Sequence, residues 1–169
     1  MGTFFCKNTI PDYAGTVWDI TGETGGDTIF VGYSLGGLIV RWMVEKMGVL
    51  AKAVILVGTS NKGIKLSLKE KALLQIIEIP CTEEMKEDSS FLKVLNRNVT
   101  PISYYYLGGR IDKRILPELF MPWNVQQPRY VRSEIIDVDH SGLIPEKRED
   151  IETSAIPAIL KILKKEISA

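Results

Sequence analysis

The sequence predicts an α/β fold, a mostly parallel sheet with helices on both faces. Short apolar runs rich in β-branched and aromatic residues alternate with stretches whose apolar residues recur at helical spacing. The runs are short and bounded by glycines, as buried strands are. No internal repeat, low-complexity tract or interdomain linker interrupts the alternation, and the 169 residues suit one domain over 1–169.

Taken in order, residues 3–6 read as a short strand and residues 13–20 as a short helix or loop, followed by the turn-rich "TGETGGD". Residues 28–31 read as a buried strand. From residue 37 to 47 the positions Leu38, Ile39, Trp42, Met43 and Met47 keep helical period, and Gly48 is a natural C-terminal stop. Residues 53–57 form a second buried strand ending at Gly58. The amphipathic stretch 64–79 predicts a helix that Pro80 ends; it stands either as a cap over the sheet edge or as a helix packed on the sheet. A short helix is expected over 88–95. Residues 102–107, with three successive tyrosines, predict a strand closed by Gly108 and Gly109. Residues 130–138 predict the last strand, and a helix follows from near Pro157.

Composition narrows the function. The 21 basic and 21 acidic residues cancel, which argues against nucleic acid as the main partner and favours a neutral or apolar small molecule. The two cysteines, Cys6 and Cys81, are too few for a disulfide framework and lack metal-ligand spacing, so they read as reduced, buried residues of a cytoplasmic protein. No apolar stretch approaches the roughly 20 residues of a membrane span, and no signal peptide is evident.

The segment "TIFVGYSLGGLIVRWM" carries the chemistry. It places Ser34 between Gly32 and Gly36 in the pattern G-x-S-x-G, where a buried strand reverses into a helix. By chance the bare pattern recurs in about one chain of this length in twenty, so its position at a strand-to-helix turn is what gives it weight. The competing reading is an ordinary turn. A serine hydroxyl becomes nucleophilic at neutral pH with a base beside it, and the chain has one histidine, His140, in a loop that follows an apolar strand. An acid lying between serine and histidine in the chain completes the set. Asp112 follows the strand 102–107 and its glycine turn; Glu118 is the reserve. Asp137 and Asp139 lie too near His140 in sequence to reach its far ring nitrogen, and Asp88 sits in a helical stretch. For Asp112 a solvated turn aspartate is the plain alternative.

These stretches, "VGYSLGGLIVRWMVEKMG" with "AKAVILVGTSNKG", "DSSFLKVLN", "ISYYYLGGRID" and "DVDHSGLI", resemble the lipase and esterase branch of the α/β-hydrolase superfamily, particularly bacterial lipases and the lipase-like domains related to GPI inositol deacylases. The resemblance spans roughly residues 28–145 and implies a truncated α/β-hydrolase fold without the family's N-terminal strands. It implies Ser34 as nucleophile, Asp112 as orienting acid, His140 as general base and the backbone N–H of Leu35 as an oxyanion donor, with no cofactor and no metal. The family's upstream His-Gly loop has no counterpart, since no histidine precedes Ser34. The expected activity is therefore a weak carboxylic-ester hydrolase working through an acyl-enzyme on Ser34. The alternatives are a noncatalytic hydrolase-like fold holding an apolar ligand or partner, and a piece completed by another chain. Residues 28–31 are expected either to pair with residues 3–6 or to form an exposed edge through which a homodimer assembles.

Overall fold

The computed structural model describes residues 8–64, 80–97, 100–113, 115 and 130–168. In chain order they form α1 (Ile10–Thr21), β1 (Ile29–Tyr33), α2 (Leu35–Glu45), β2 (Ala53–Val57), α3 (Pro80–Glu84), α4 (Ser90–Leu95), β3 (Ser103–Gly109), β4 (Tyr130–Ile136), two 3-10 turns (Ser141–Leu143 and Arg148–Thr153) and α5 (Ile156–Ile167). The four strands make one sheet in the order β1-β2-β3-β4, every pairing parallel. Parallel strands leave their carboxyl ends on a common edge, so the loops after all four strands meet there.

The sheet is covered on both faces. Successive strand residues point to opposite sides, and β2 and β3 divide accordingly. Ala53, Ile55, Val57, Tyr105 and Leu107 pack against Ile159 and Ile162 of α5, whereas Val54, Leu56, Tyr104 and Tyr106 pack against Val40 and Val44 of α2. Because apolar residues are needed on both sides, β2 reads as the unbroken run AVILV, buried throughout. Helix α2 is itself covered twice. Its far side joins Leu38 to Ile10, Cys81, Phe91 and Leu95, and Met43 to Ala14 and Val49. This is the arrangement expected of a truncated α/β-hydrolase fold.

Several boundaries differ from the sequence reading for local reasons. Helix α1 starts at Ile10 rather than residue 13 because Thr9 and Asp12 form a reciprocal capping box, with Pro11 in the first turn. Pro80 opens α3, which suits a residue whose missing N–H is no loss in a first turn. Strand β3 runs through Gly108 and Gly109 to pair with Ile135 and Ile136. The strand expected at 3–6, the amphipathic stretch beyond Ile64 and the reserve acid Glu118 lie outside the described residues. Among the described residues β1 pairs on one side only, with β2, and no helix is long and apolar enough to cross a membrane. Cys81 is disulfide-bonded, which corrects the expectation of reduced cysteines and removes the ground on which a cytoplasmic location rested. The only other cysteine in the sequence, Cys6, lies outside the described residues.

A buried polar clamp holds α2 in place. Arg41 is fully buried and donates to the side-chain oxygens of Asn61, after β2, and Asn96, at the end of α4, at 3.2 and 2.9 Å. Asn96 in turn donates to the Asn61 carbonyl at 3.1 Å. Burial pushes the Arg41 guanidinium down to about 10, against the pull of Tyr104, Tyr106 and Glu45, so it stays charged at neutral pH. Replacing Arg41 with methionine keeps the bulk and removes a donor from the buried Asn61 amide oxygen and from the half-buried one of Asn96. Arg41→Met should therefore lower stability by about 2–4 kcal/mol in urea unfolding; a change below about 0.5 kcal/mol would contradict this role for the clamp.

Candidate active site

The turn from β1 into α2 is strained at one residue. Ser34 has φ 52° and ψ −122°, a left-handed conformation that costs a non-glycine residue about 1–3 kcal/mol. Its N–H donates to the Val57 carbonyl at 2.8 Å, and its own carbonyl accepts from the Gly37 N–H at 3.1 Å. The turn is tight because strand and helix nearly touch. A Cβ on Gly32 would come within 2.5 Å of the Gly37 Cα, and one on Gly37 within 1.9 Å of the Thr59 Oγ1. Of the two glycines that flank the serine in the motif, Gly32 makes this approach and Gly36 does not: among the described residues a Cβ on Gly36 meets nothing within 4 Å. Gly37 has that part instead. Leu35 follows as the first residue of α2, so its backbone N–H is one of the first-turn donors that a helix leaves without an internal partner.

Two further loops converge on Ser34. The loop after β3 stays bonded to the loop after β4, with Arg110 donating to the Ile136 carbonyl at 2.7 Å and Ile111 to the Val138 carbonyl at 3.3 Å. This continued pairing carries Asp112 and His140 off the sheet together. The Asp112 carboxylate is buried; it accepts from the Ile115 N–H at 2.9 Å and contacts His140 Nδ1 at 2.7 Å. His140 Nε2 lies 3.0 Å from Ser34 Oγ. The structure thus brings Ser34, Asp112 and His140 into one hydrogen-bonded chain, and Asp112, not the neighbouring aspartates, is the carboxylate at the ring. Asp139 instead accepts from Ser141 Oγ and the Gly142 N–H, capping the turn that follows His140; these bonds hold its carboxyl below the usual range. Asp137 pairs with Arg110 at the surface.

Two supporting residues escaped the sequence reading. At Gly58, φ is +55°, and a Cβ there would come within 3.2 Å of His140 Cε1 and 2.8 Å of Leu143 Cδ1, so a side chain at this position would displace the imidazole. The glycine was visible only as the end of a strand. Tyr33 stacks on His140 and bonds to its carbonyl; nothing in the sequence distinguishes the second position of G-x-S-x-G. A cavity of about 600 Å³ opens beside Asp112 and His140, lined also by Tyr33, Ile111, Lys113, Asp139 and Ser141. Among the described residues no group of three His, Cys, Asp or Glu side chains is placed to hold a metal ion.

No family model and no curated protein sequence matches the chain. Solved structures do resemble it. A thermophilic esterase superposes with TM-score 0.63 at 16% identity, covering 94% of this chain and 74% of that one. A monoacylglycerol lipase from Paleococcus ferrophilus gives 0.61 at 15% identity, covering 94% and 76%. YbtT, a type II thioesterase from the yersiniabactin pathway, gives 0.60 at 16% identity, covering 92% and 73%. At such identities the likeness establishes the fold.

The contrast between the two glycines is measurable. Gly37→Ala should cost about 1–3 kcal/mol, since the methyl has no room beside Thr59. Gly36→Ala should be neutral or stabilising by up to about 1 kcal/mol, because alanine suits a helix and the space is open. Thermal unfolding of both variants checks this, and equal destabilisation would show that the wrong glycine has been singled out.

Proposed function

We propose that the chain is a serine hydrolase of carboxylic esters, acting through an acyl-enzyme on Ser34. The observation that carries this reading is the position of His140, with Nε2 3.0 Å from Ser34 Oγ and Nδ1 2.7 Å from Asp112. That spacing lets the imidazole take the hydroxyl proton as Oγ attacks the ester carbonyl, while the buried carboxylate keeps the other ring nitrogen protonated and stabilises the imidazolium that forms. The oxyanion of the tetrahedral intermediate is met by the Leu35 N–H at the start of α2, a donor already oriented before reaction. As the intermediate collapses, the imidazolium returns its proton to the departing alcohol. Water then repeats the sequence on the acyl-enzyme, releasing the acid and restoring Ser34. No electrons leave the substrate, so the chemistry requires no cofactor.

The strained backbone at Ser34 supports the same reading, because strain in a turn concentrates where a side chain must be held clear of its neighbours. The esterase and the lipase among the similar structures agree with an ester substrate, and the thioesterase points to the thioester, its close chemical relative. An apolar contact for the acyl or alcohol group is available in Ile111, which is exposed at the cavity.

Hydrolysis of p-nitrophenyl butyrate tests the assignment. Ser34→Ala and His140→Ala should each remove nearly all turnover, because the members act as a unit. Asp112→Asn should lower kcat by about 10³–10⁴ while the fold survives, the penalty for an imidazole in the wrong tautomer. Full activity in either of the first two variants would remove Ser34 or His140 from the reaction.

A further inference from the structure

Tyr33 ends β1, directly before Ser34, and takes no part in the hydrogen-bonded chain of Ser34, His140 and Asp112. It nevertheless holds the histidine at two points. Its ring stacks on the imidazole with centroids 5.1 Å apart and planes 27° apart. Its hydroxyl donates to the His140 backbone carbonyl at 2.8 Å. One side chain, adjacent to the serine, thus grips both the ring and the main chain of the residue that serine needs.

We propose that Tyr33 is a positioning residue for His140, setting the plane of the imidazole so that Nε2 stays in line with Ser34 Oγ. The proposal rests on the reading of Ser34 and His140 as nucleophile and base. Hydrogen bonds at the two ring nitrogens fix the ends of the imidazole but leave the ring free to tip about the line joining its partners. A flat aromatic ring stacked on one face removes that freedom. The hydroxyl bond removes a second one, since it ties the loop that bears His140 to the strand that bears Ser34, two elements from opposite edges of the described sheet. The aromatic face also becomes more favourable as His140 gains its proton, because an imidazolium is attracted to the electron-rich face of a ring. Both effects act on the proton-transfer step.

The proposal is separable from a merely structural role. In hydrolysis of p-nitrophenyl butyrate, Tyr33→Phe keeps the stack and loses the hydroxyl bond, and its kcat should fall about tenfold, the worth of one hydrogen bond. Tyr33→Leu loses both contacts, and its kcat should fall about a hundredfold, the scale of a small misplacement of a catalytic group. KM should stay within about twofold in Tyr33→Phe, which keeps the ring that lines the cavity. A readout free of activity is available because His140 is the only histidine, so its Cε1 proton resonance needs no sorting from others. The ring current of the stacked tyrosine shifts that resonance; Tyr33→Phe should keep the shift and Tyr33→Leu should lose it. If Tyr33→Leu does not fold, the tenfold loss of kcat at constant KM in Tyr33→Phe decides alone. If the unaltered protein turns over no ester, the functional reading fails and the resonance still tests the positioning. Unchanged kcat in the variants, or a His140 resonance in Tyr33→Leu that stays where it lies in the unaltered protein, overturns the proposal.

Discussion

The arrangement at the carboxyl edge of the sheet depends on the two hydrogen bonds of one imidazole. His140 reaches Ser34 through Nε2 and Asp112 through Nδ1, and these three residues leave the sheet after β1, β3 and β4. A bridge across that distance requires parallel strands in stable register, because a slip of one residue would turn the terminal side chain of a strand to the other face. The buried runs of β2 and β3 supply that register, with α2 and α5 covering their two faces. Glycine at 58 supplies the room for the ring.

The same geometry explains why the chain tolerates an unfavourable backbone at Ser34. The turn is held from both sides: its N–H is bonded to β2, its carbonyl to the first turn of α2, and α2 is buried against the sheet below and the helical layer above. Arg41 anchors that helix to the loops after β2 and α4 through the amide oxygens of Asn61 and Asn96. Stability built around α2 is what keeps a strained serine in place, so packing and chemistry are coupled through one helix.

Much of this was legible in the sequence. The run at 53–57 coincides with β2 because a strand buried on both faces has no polar positions to blur its ends. Ser34, Asp112 and His140 were readable because each follows an apolar run, and in a parallel sheet that alone places them on one edge. Other features depended on contacts that no local pattern records. Gly36 satisfies the motif, yet Gly37 makes the close approach, because the atom it must avoid belongs to Thr59, distant in sequence. Helix α1 was placed late because its start is set by the capping box of Thr9 and Asp12 rather than by apolar period. Pro80 can close one helix or open the next, and the sequence carries both meanings. The stack of Tyr33 on His140 joins residues far apart in the chain.

Activation of Ser34 is the point on which the functional reading turns, and covalent labelling by a fluorophosphonate measures it most directly, since such probes react with a serine only when a base has made it nucleophilic. One equivalent of probe should attach to the folded protein, peptide mapping should place it on Ser34, and denaturation beforehand should prevent it. A folded protein that stays unlabelled, or that is labelled at another serine, would contradict an activated Ser34 and leave the converging loops as a binding surface.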